Sequence, residues 1–225
     1  MVDSRVVVIT GATGVLGQET ARAFAERGHS LALLDHNQEK LDSLVRGLNL
    51  PAERLFSRVV DLLDAPTLRA TAEAVAAKFG AVHGLVHLVG GWTGGKSIPE
   101  ASVDDLTFML NQHAWTTFHL FQAFVPHLIA SGWGRVITLS LPLTVQPAAK
   151  MGPYAAGKSA QEALVTTLAE ETRQQGVTAN IIHVQAIDVK GTGKGTSPKE
   201  IIAAMEYLFS EEASTVTGTR MPLYK

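Results

Sequence analysis

Tyr154 and Lys158 stand four residues apart in Tyr154-Ala155-Ala156-Gly157-Lys158. On a helix, positions i and i+4 share a face, so a phenol and an ammonium can address one ligand. The lysine charge favours phenolate over phenol and is expected to lower the Tyr154 pKa toward working pH. A tyrosine tuned in this way can give or take a proton in a redox step. The spacing alone arises by chance on many exposed helix faces, and its weight comes from the N-terminal region.

There the chain reads Val6-Val7-Val8-Ile9-Thr10-Gly11-Ala12-Thr13-Gly14-Val15-Leu16-Gly17. A buried-strand run passes into three glycines and then into a helix with apolar Leu16, Ala21, Phe24 and Ala25. Such glycines permit a tight turn and close backbone approach to a pyrophosphate at a helix N-terminus. Asp35 ends the next strand run. A carboxylate there can accept hydrogen bonds from an adenosine ribose and would repel a 2′-phosphate. NAD(H) is therefore expected as cofactor, with His36 leaving NADP(H) possible.

The elements around these residues alternate in type, which argues for a parallel sheet with crossover helices. Helices are expected at about 15–27, 38–48, 64–79, 103–130, 154–175 and 198–209. Strands are expected at 55–60, 84–89, 135–139 and 178–184, with a short one after Gly218. Ser197-Pro198-Lys199-Glu200 reads as a capping box. With 225 residues and 46% hydrophobic content the chain suits one domain, 1–225, with a sizeable core. A net charge of −2 gives no electrostatic case for nucleic acid or anionic membrane. The absence of cysteine excludes disulfides, thiolate metal sites and cysteine nucleophiles. His83 and His87 fall on a strand, which does not give metal-ligand spacing. No signal peptide or membrane-spanning run is expected, and the default location is the cytoplasm.

Together, Thr10-Gly11 to Gly17, Asp35, Asp61, Gly90, Tyr154, Lys158 and Val216-Thr217-Gly218 resemble the short-chain dehydrogenase/reductase family over essentially the whole chain. The resemblance implies a single-domain α/β sandwich of the Rossmann kind, a doubly wound parallel sheet of about seven strands with helices on both faces, together with a nicotinamide cofactor and an oxidoreductase. It implies that Asp61 hydrogen-bonds the adenine beside Leu62, that Tyr154 is the acid/base, and that Lys158 holds the nicotinamide ribose. Gly11, Thr13, Gly14, Leu16, Gly17 and Gly90 would line the cofactor groove, and the Ile187 backbone would meet the carboxamide.

The departures from the family pattern are informative. Val15 replaces the middle glycine of the usual T-G-x-x-x-G-x-G turn, and the usual N-N-A-G reads His87-Leu88-Val89-Gly90. The catalytic serine position, thirteen residues before the tyrosine, holds Leu141. Ser140, one place earlier, is a candidate substitute, although its strand parity sends it to the other face. Thr144 is a weaker one. The family asparagine aligns with His113, which reads either as a relay toward Lys158 or as a neutral core histidine. The Gly11/Gly14/Gly17 spacing, the Gly90-Gly91-Trp92-Thr93-Gly94-Gly95 loop and Trp115-Thr116 are similar to the dihydropteridine reductase branch, which also lacks the serine and prefers NADH.

The expected activity is NADH-dependent reduction of a small unsaturated, pterin-like substrate. A ketone or alcohol dehydrogenase with a surrogate donor, and a non-catalytic NAD(H) sensor, are the alternatives. Trp92 reads as a wall or lid of the substrate pocket or as a structural residue. Phe108, Phe118, Phe121 and Phe124 exceed what one buried stripe needs. A homodimer or homotetramer through helices 103–130 and 154–175 is therefore expected.

Overall fold

The computed structural model describes residues 4–224. Seven strands form one parallel sheet: β1 Val6–Thr10, β2 Ser30–Asp35, β3 Leu55–Val59, β4 Gly84–His87, β5 Gly134–Ser140, β6 Val177–His183 and β7 Arg220–Pro222. Their order is β3-β2-β1-β4-β5-β6-β7. β1 pairs in register with both β2 and β4, so the winding direction reverses between β1 and β4. In such sheets ligands bind beyond the carboxyl ends of the strands at that reversal.

Helices α1 Val15–Glu26, α2 Gln38–Leu48, α3 Ala65–Phe79, α4 Val103–Leu110, α5 Thr116–Ala130, α6 Gly152–Glu171 and α7 Pro198–Leu208 cover the two faces. The five inner strands, β1, β2, β4, β5 and β6, are buried on both faces, while the edge strands β3 and β7 are partly exposed. Val8 and Val136 face one core with Leu120, Phe124 and Val165. Val7, Ile9 and Ile137 face the other, with Phe24, Leu41 and Met205. Helix starts follow local chemistry. The Asn37 and Asp64 side chains accept from Lys40 N and Thr67 N, and Ser102 and Ser197 close capping boxes with Asp105 and Glu200. Among the described residues no helix is long and apolar enough to cross a membrane.

The single helix expected over 103–130 is corrected. A π turn, Asn111–Trp115, separates α4 from α5. Two threonines accommodate the widened turn: Thr116 Oγ1 donates to Gln112 O at 2.9 Å and Thr117 Oγ1 to His113 O at 2.6 Å. The turn faces Gly157 of α6, where a Cβ would lie 2.6 Å from Met109 O and 3.2 Å from His113 Cδ2. Backbone thus packs on backbone, which apolar periodicity does not encode. The helix carrying Tyr154 also ends at Glu171, short of the expected 175, and β4 stops at His87 rather than Val89.

Replacing Gly157 by alanine should force α4 and α6 apart and lower unfolding free energy by about 1–3 kcal/mol. Gly47→Ala on α2, where an added Cβ meets nothing within 4 Å, should leave stability unchanged or raise it by up to ~1 kcal/mol. Denaturant unfolding of the two variants checks both.

Candidate active site

Two adjoining grooves lie at the carboxyl edge of the sheet. One, of about 660 Å³, is lined by Gly11, Thr13, Gly14, Asp35, Asp61 and Leu62 among others. The second, of about 380 Å³, is lined by Trp92, His113, Leu141, Tyr154, Lys158 and Ile187 among others. Leu88, Val89 and Gly90 border both. A ligand can therefore extend from Asp35 to Tyr154.

The first groove is built to take an anion. Gly11 adopts φ +69°, and a Cβ there would stand 3.1 Å from Val89 N. Gly14 is the N-cap of α1 with no side-chain cap, and the first turn carries no acidic residue. The leading amides of α1 thus meet no side-chain acceptor, the arrangement that receives a phosphate group. Asp35 is buried at the end of β2. Its Oδ2 accepts from Thr13 N at 2.9 Å, and its Oδ1 from His36 N at 2.8 Å and Asn37 N at 3.2 Å. Each carboxylate oxygen has two lone pairs, so capacity remains for a ribose hydroxyl. Asp61 Oδ1 accepts from Leu63 N, which fixes its carboxylate beside Leu62. These residues fit a dinucleotide.

Two expected groove residues do other work. Leu16 buries its side chain in the core between α1 and the sheet, so only its backbone can reach a ligand. Gly17 is a packing glycine, because a Cβ there would lie 2.2 Å from Gly11 O.

In the second groove, Lys158 is 7% exposed. Its Nζ donates to Leu139 O at 2.8 Å and Gln161 Oε1 at 2.9 Å. Burial lowers its pKa to about 8, against a raising influence from the Glu162 charge. Tyr154 is half-buried one turn earlier, and burial raises its pKa. The expectation that Lys158 lowers the Tyr154 pKa is corrected: desolvation of the phenolate by burial sets the direction. Tyr154 is therefore a protonated phenol at neutral pH.

His113 sits in the π turn, fully buried, its ring 5.5 Å from that of Tyr154. Its Nε2 pairs with Gly91 O at 3.0 Å. A carbonyl only accepts, so Nε2 carries the hydrogen and Nδ1 is a bare acceptor, buried and without a partner among the described residues. Burial, then the Lys158 charge, hold the His113 pKa at about 3, so the ring is neutral at physiological pH. His87 is likewise held at about 3, by burial first, and pairs with Thr10 Oγ1 at 2.7 Å. Ile187 borders the groove and bridges to Thr196.

Ser140 also lines the groove, but its one hydroxyl hydrogen is donated to Glu162 Oε1 at 2.5 Å. Thr144 Oγ1 donates to the same oxygen at 2.7 Å, and His183 Nε2 lies 2.8 Å from it. Arg220 Nε pairs with Glu162 Oε2. Leu141, extended at φ −149°, borders the groove beside Ser140. Sequence reasoning missed Gln161, Glu162, His183 and Arg220. The available signal was a polar pair three and four positions beyond Lys158, on a helix face that is otherwise buried.

Residues 5–199 match the family described as short chain dehydrogenase. The chain belongs to that family. D-threitol dehydrogenase of Mycolicibacterium smegmatis is 27% identical over 238 residues, covering 96% of this chain and 90% of that protein. The NADPH-bound short chain oxidoreductase of Pseudomonas aeruginosa PAO1, which contains an atypical catalytic center, matches with a TM-score of 0.89 at 24% identity, over 97% of this chain and 94% of that one. An NAD+-bound xylitol dehydrogenase matches with a TM-score of 0.85 at 24% identity, over 97% of each chain. This short chain dehydrogenase is an NAD(P)-dependent oxidoreductase with the seven-stranded Rossmann-like sheet of its family.

Burial raises the Glu162 pKa, but hydrogen bonds from His183, Ser140, Arg220 and Thr144 outweigh it and leave the group at about 2. A folded pKa below the unfolded one contributes stability above the unfolded value that is lost as pH falls through the folded value. Glu162→Gln should therefore lower unfolding free energy by about 2 kcal/mol at neutral pH. The gap to wild type should close as pH falls from about 5 to about 2. Denaturant melts across that range measure it.

Proposed function

We propose that this enzyme reduces a small, flat, unsaturated substrate of the quinonoid dihydropteridine type, with NADH favoured as the hydride source. Tyr154 supplies the proton. Its raised pKa keeps it protonated at neutral pH, which suits the reductive direction. Lys158 holds the nicotinamide ribose and keeps a positive charge beside the phenol. The backbone of Ile187 meets the carboxamide, and Trp92 forms a wall for a planar ring.

The observation that carries this reading is the pair Leu141 and Ser140. A serine hydroxyl in the groove would polarise a ketone oxygen as hydride arrives. Here Leu141 stands at the serine position, and Ser140, which also lines the groove, donates its one hydroxyl hydrogen to Glu162. A conjugated imine-type carbon can accept hydride while its nitrogen takes the Tyr154 proton, with no second donor. The same placement of Ser140 argues against a ketone or alcohol dehydrogenase with a serine surrogate.

The preference for NADH rests on the Asp35 carboxylate, which would repel a 2′-phosphate across the groove. Exposed Phe108, Trp115 and Phe118, on α4, the π turn and α5, support association of two copies through this surface.

The test is NADH oxidation with quinonoid dihydropteridine and with a panel of ketones, wild type beside Tyr154→Phe. Turnover of the pterin that disappears in Tyr154→Phe, with NADH binding retained, is expected. Ketone turnover alone would contradict the substrate reading, and NADH binding without turnover would point to a sensor. Asp35→Ser should shift the ratio of NADPH to NADH affinity toward NADPH on the order of tenfold, about 1.4 kcal/mol, by titration of both nucleotides. Light scattering at micromolar concentration should give a dimer or tetramer, and a monomer would refute the association.

A further inference from the structure

A buried cation stays charged only if its neighbours supply acceptors. Lys158 has two, and they differ in kind. Leu139 O is backbone and present whatever the sequence. Gln161 Oε1 is a side-chain choice, made at a position only 1% exposed, on the face of α6 that also buries Lys158, Val165 and Leu168. An apolar side chain would fill that place without a polar group to satisfy.

The orientation of the Gln161 amide is set by what lies behind it. Gln161 Nε2 is 3.1 Å from Thr117 Oγ1, and Thr117 Oγ1 is 2.6 Å from His113 O. The threonine hydroxyl has one hydrogen, and the His113 carbonyl can only accept it. Thr117 must therefore accept from Gln161, which turns the amide nitrogen toward Thr117 and the amide oxygen toward Lys158. The chain Lys158, Gln161, Thr117, His113 joins α6 to the π turn, with the direction of each of its hydrogen bonds fixed.

We propose that Gln161 is a positioning residue, whose amide oxygen holds Lys158 in the groove as an ammonium and braces it through Thr117 against the π turn. The other groups around Lys158 do not supply this. Glu162, on the same helix, favours the charge from a distance but has its oxygens engaged by Ser140, Thr144, His183 and Arg220. His87 from β4 and His113 from the π turn are neutral, and Tyr154 is protonated. The inference rests on the reading that Lys158 serves the ribose and the phenol, and its test does not depend on turnover.

Protein labelled with ¹³C-lysine, without added nucleotide, is titrated by NMR through the Lys158 Cε resonance, identified by its loss in Lys158→Gln. The wild-type midpoint is expected near pH 8. Gln161→Leu should move it down by about one unit or more, the consequence of one lost hydrogen bond to a charged group. Gln161→Glu, which puts a charged acceptor in the same place, should move it above wild type. A purely structural role would lower melting temperature in both variants and leave the midpoints alone. Midpoints within about 0.3 unit of wild type in the folded variants, or shifts of the same sign in both, would overturn the proposal. If Gln161→Leu does not fold, the upward shift in Gln161→Glu decides it alone, and its absence refutes the proposal. NADH affinity measured on the same samples separates the two layers. A moved midpoint with affinity indifferent to Lys158 protonation supports Gln161 and refutes the ribose reading. An unmoved midpoint with affinity that follows Lys158 protonation does the reverse.

Discussion

The Lys158 ammonium, buried between α6 and the end of β5, is the constraint around which the active site is arranged. A charge in that position is tolerated only with fixed partners. Leu139 O requires β5 to end at the right height. Gln161 requires the helix register, and Thr117 behind it requires the π turn that reorients α5 relative to α4. The turn in turn requires Gly157, since any Cβ there would collide with the Met109 carbonyl. Four local features that look unrelated in the sequence thus serve one charged group.

A second buried charge divides the roles of neighbouring residues. Glu162 gathers Ser140, Thr144, His183 and Arg220, and so ties the segment after β5 to β6 and β7. The residue between Ser140 and this segment's next turn is Leu141, which borders the substrate groove. The Ser140 hydroxyl hydrogen is thereby committed to Glu162. The groove presents the Tyr154 phenol and the Lys158 ammonium beside neutral His87 and His113 and the polar Ser140 and Gln185.

Much of this was legible in the sequence. The glycine turn, Asp35, the strand runs and the Tyr154/Lys158 pair follow from period, turn chemistry and charge, which are local properties. What was not legible depends on contacts between distant segments. Strand parity gave no sign that Ser140 would line the groove while donating its hydroxyl hydrogen to Glu162. The π turn arises where α6 crosses α4, and apolar spacing over 103–130 gives no sign of it. The direction of the Tyr154 pKa shift follows from how deeply the phenol is buried, which spacing along one helix does not determine. Gln161 and Glu162 read as ordinary helix residues until their burial is known. Leu16 and Gly17 lie within the glycine turn yet serve packing, because side chains there face α1's own core.

The central claim is that a buried Lys158, charged at neutral pH and losing its proton near pH 8, supports proton donation by Tyr154. The most direct test is the rate of NADH oxidation against pH, with the substrate that the enzyme turns over. The account predicts a rate that holds through neutral pH and falls as pH rises through about 8, with that limb absent from the residual rate of Lys158→Gln. A rate unchanged to about pH 10, where tyrosine itself begins to ionise, would contradict it.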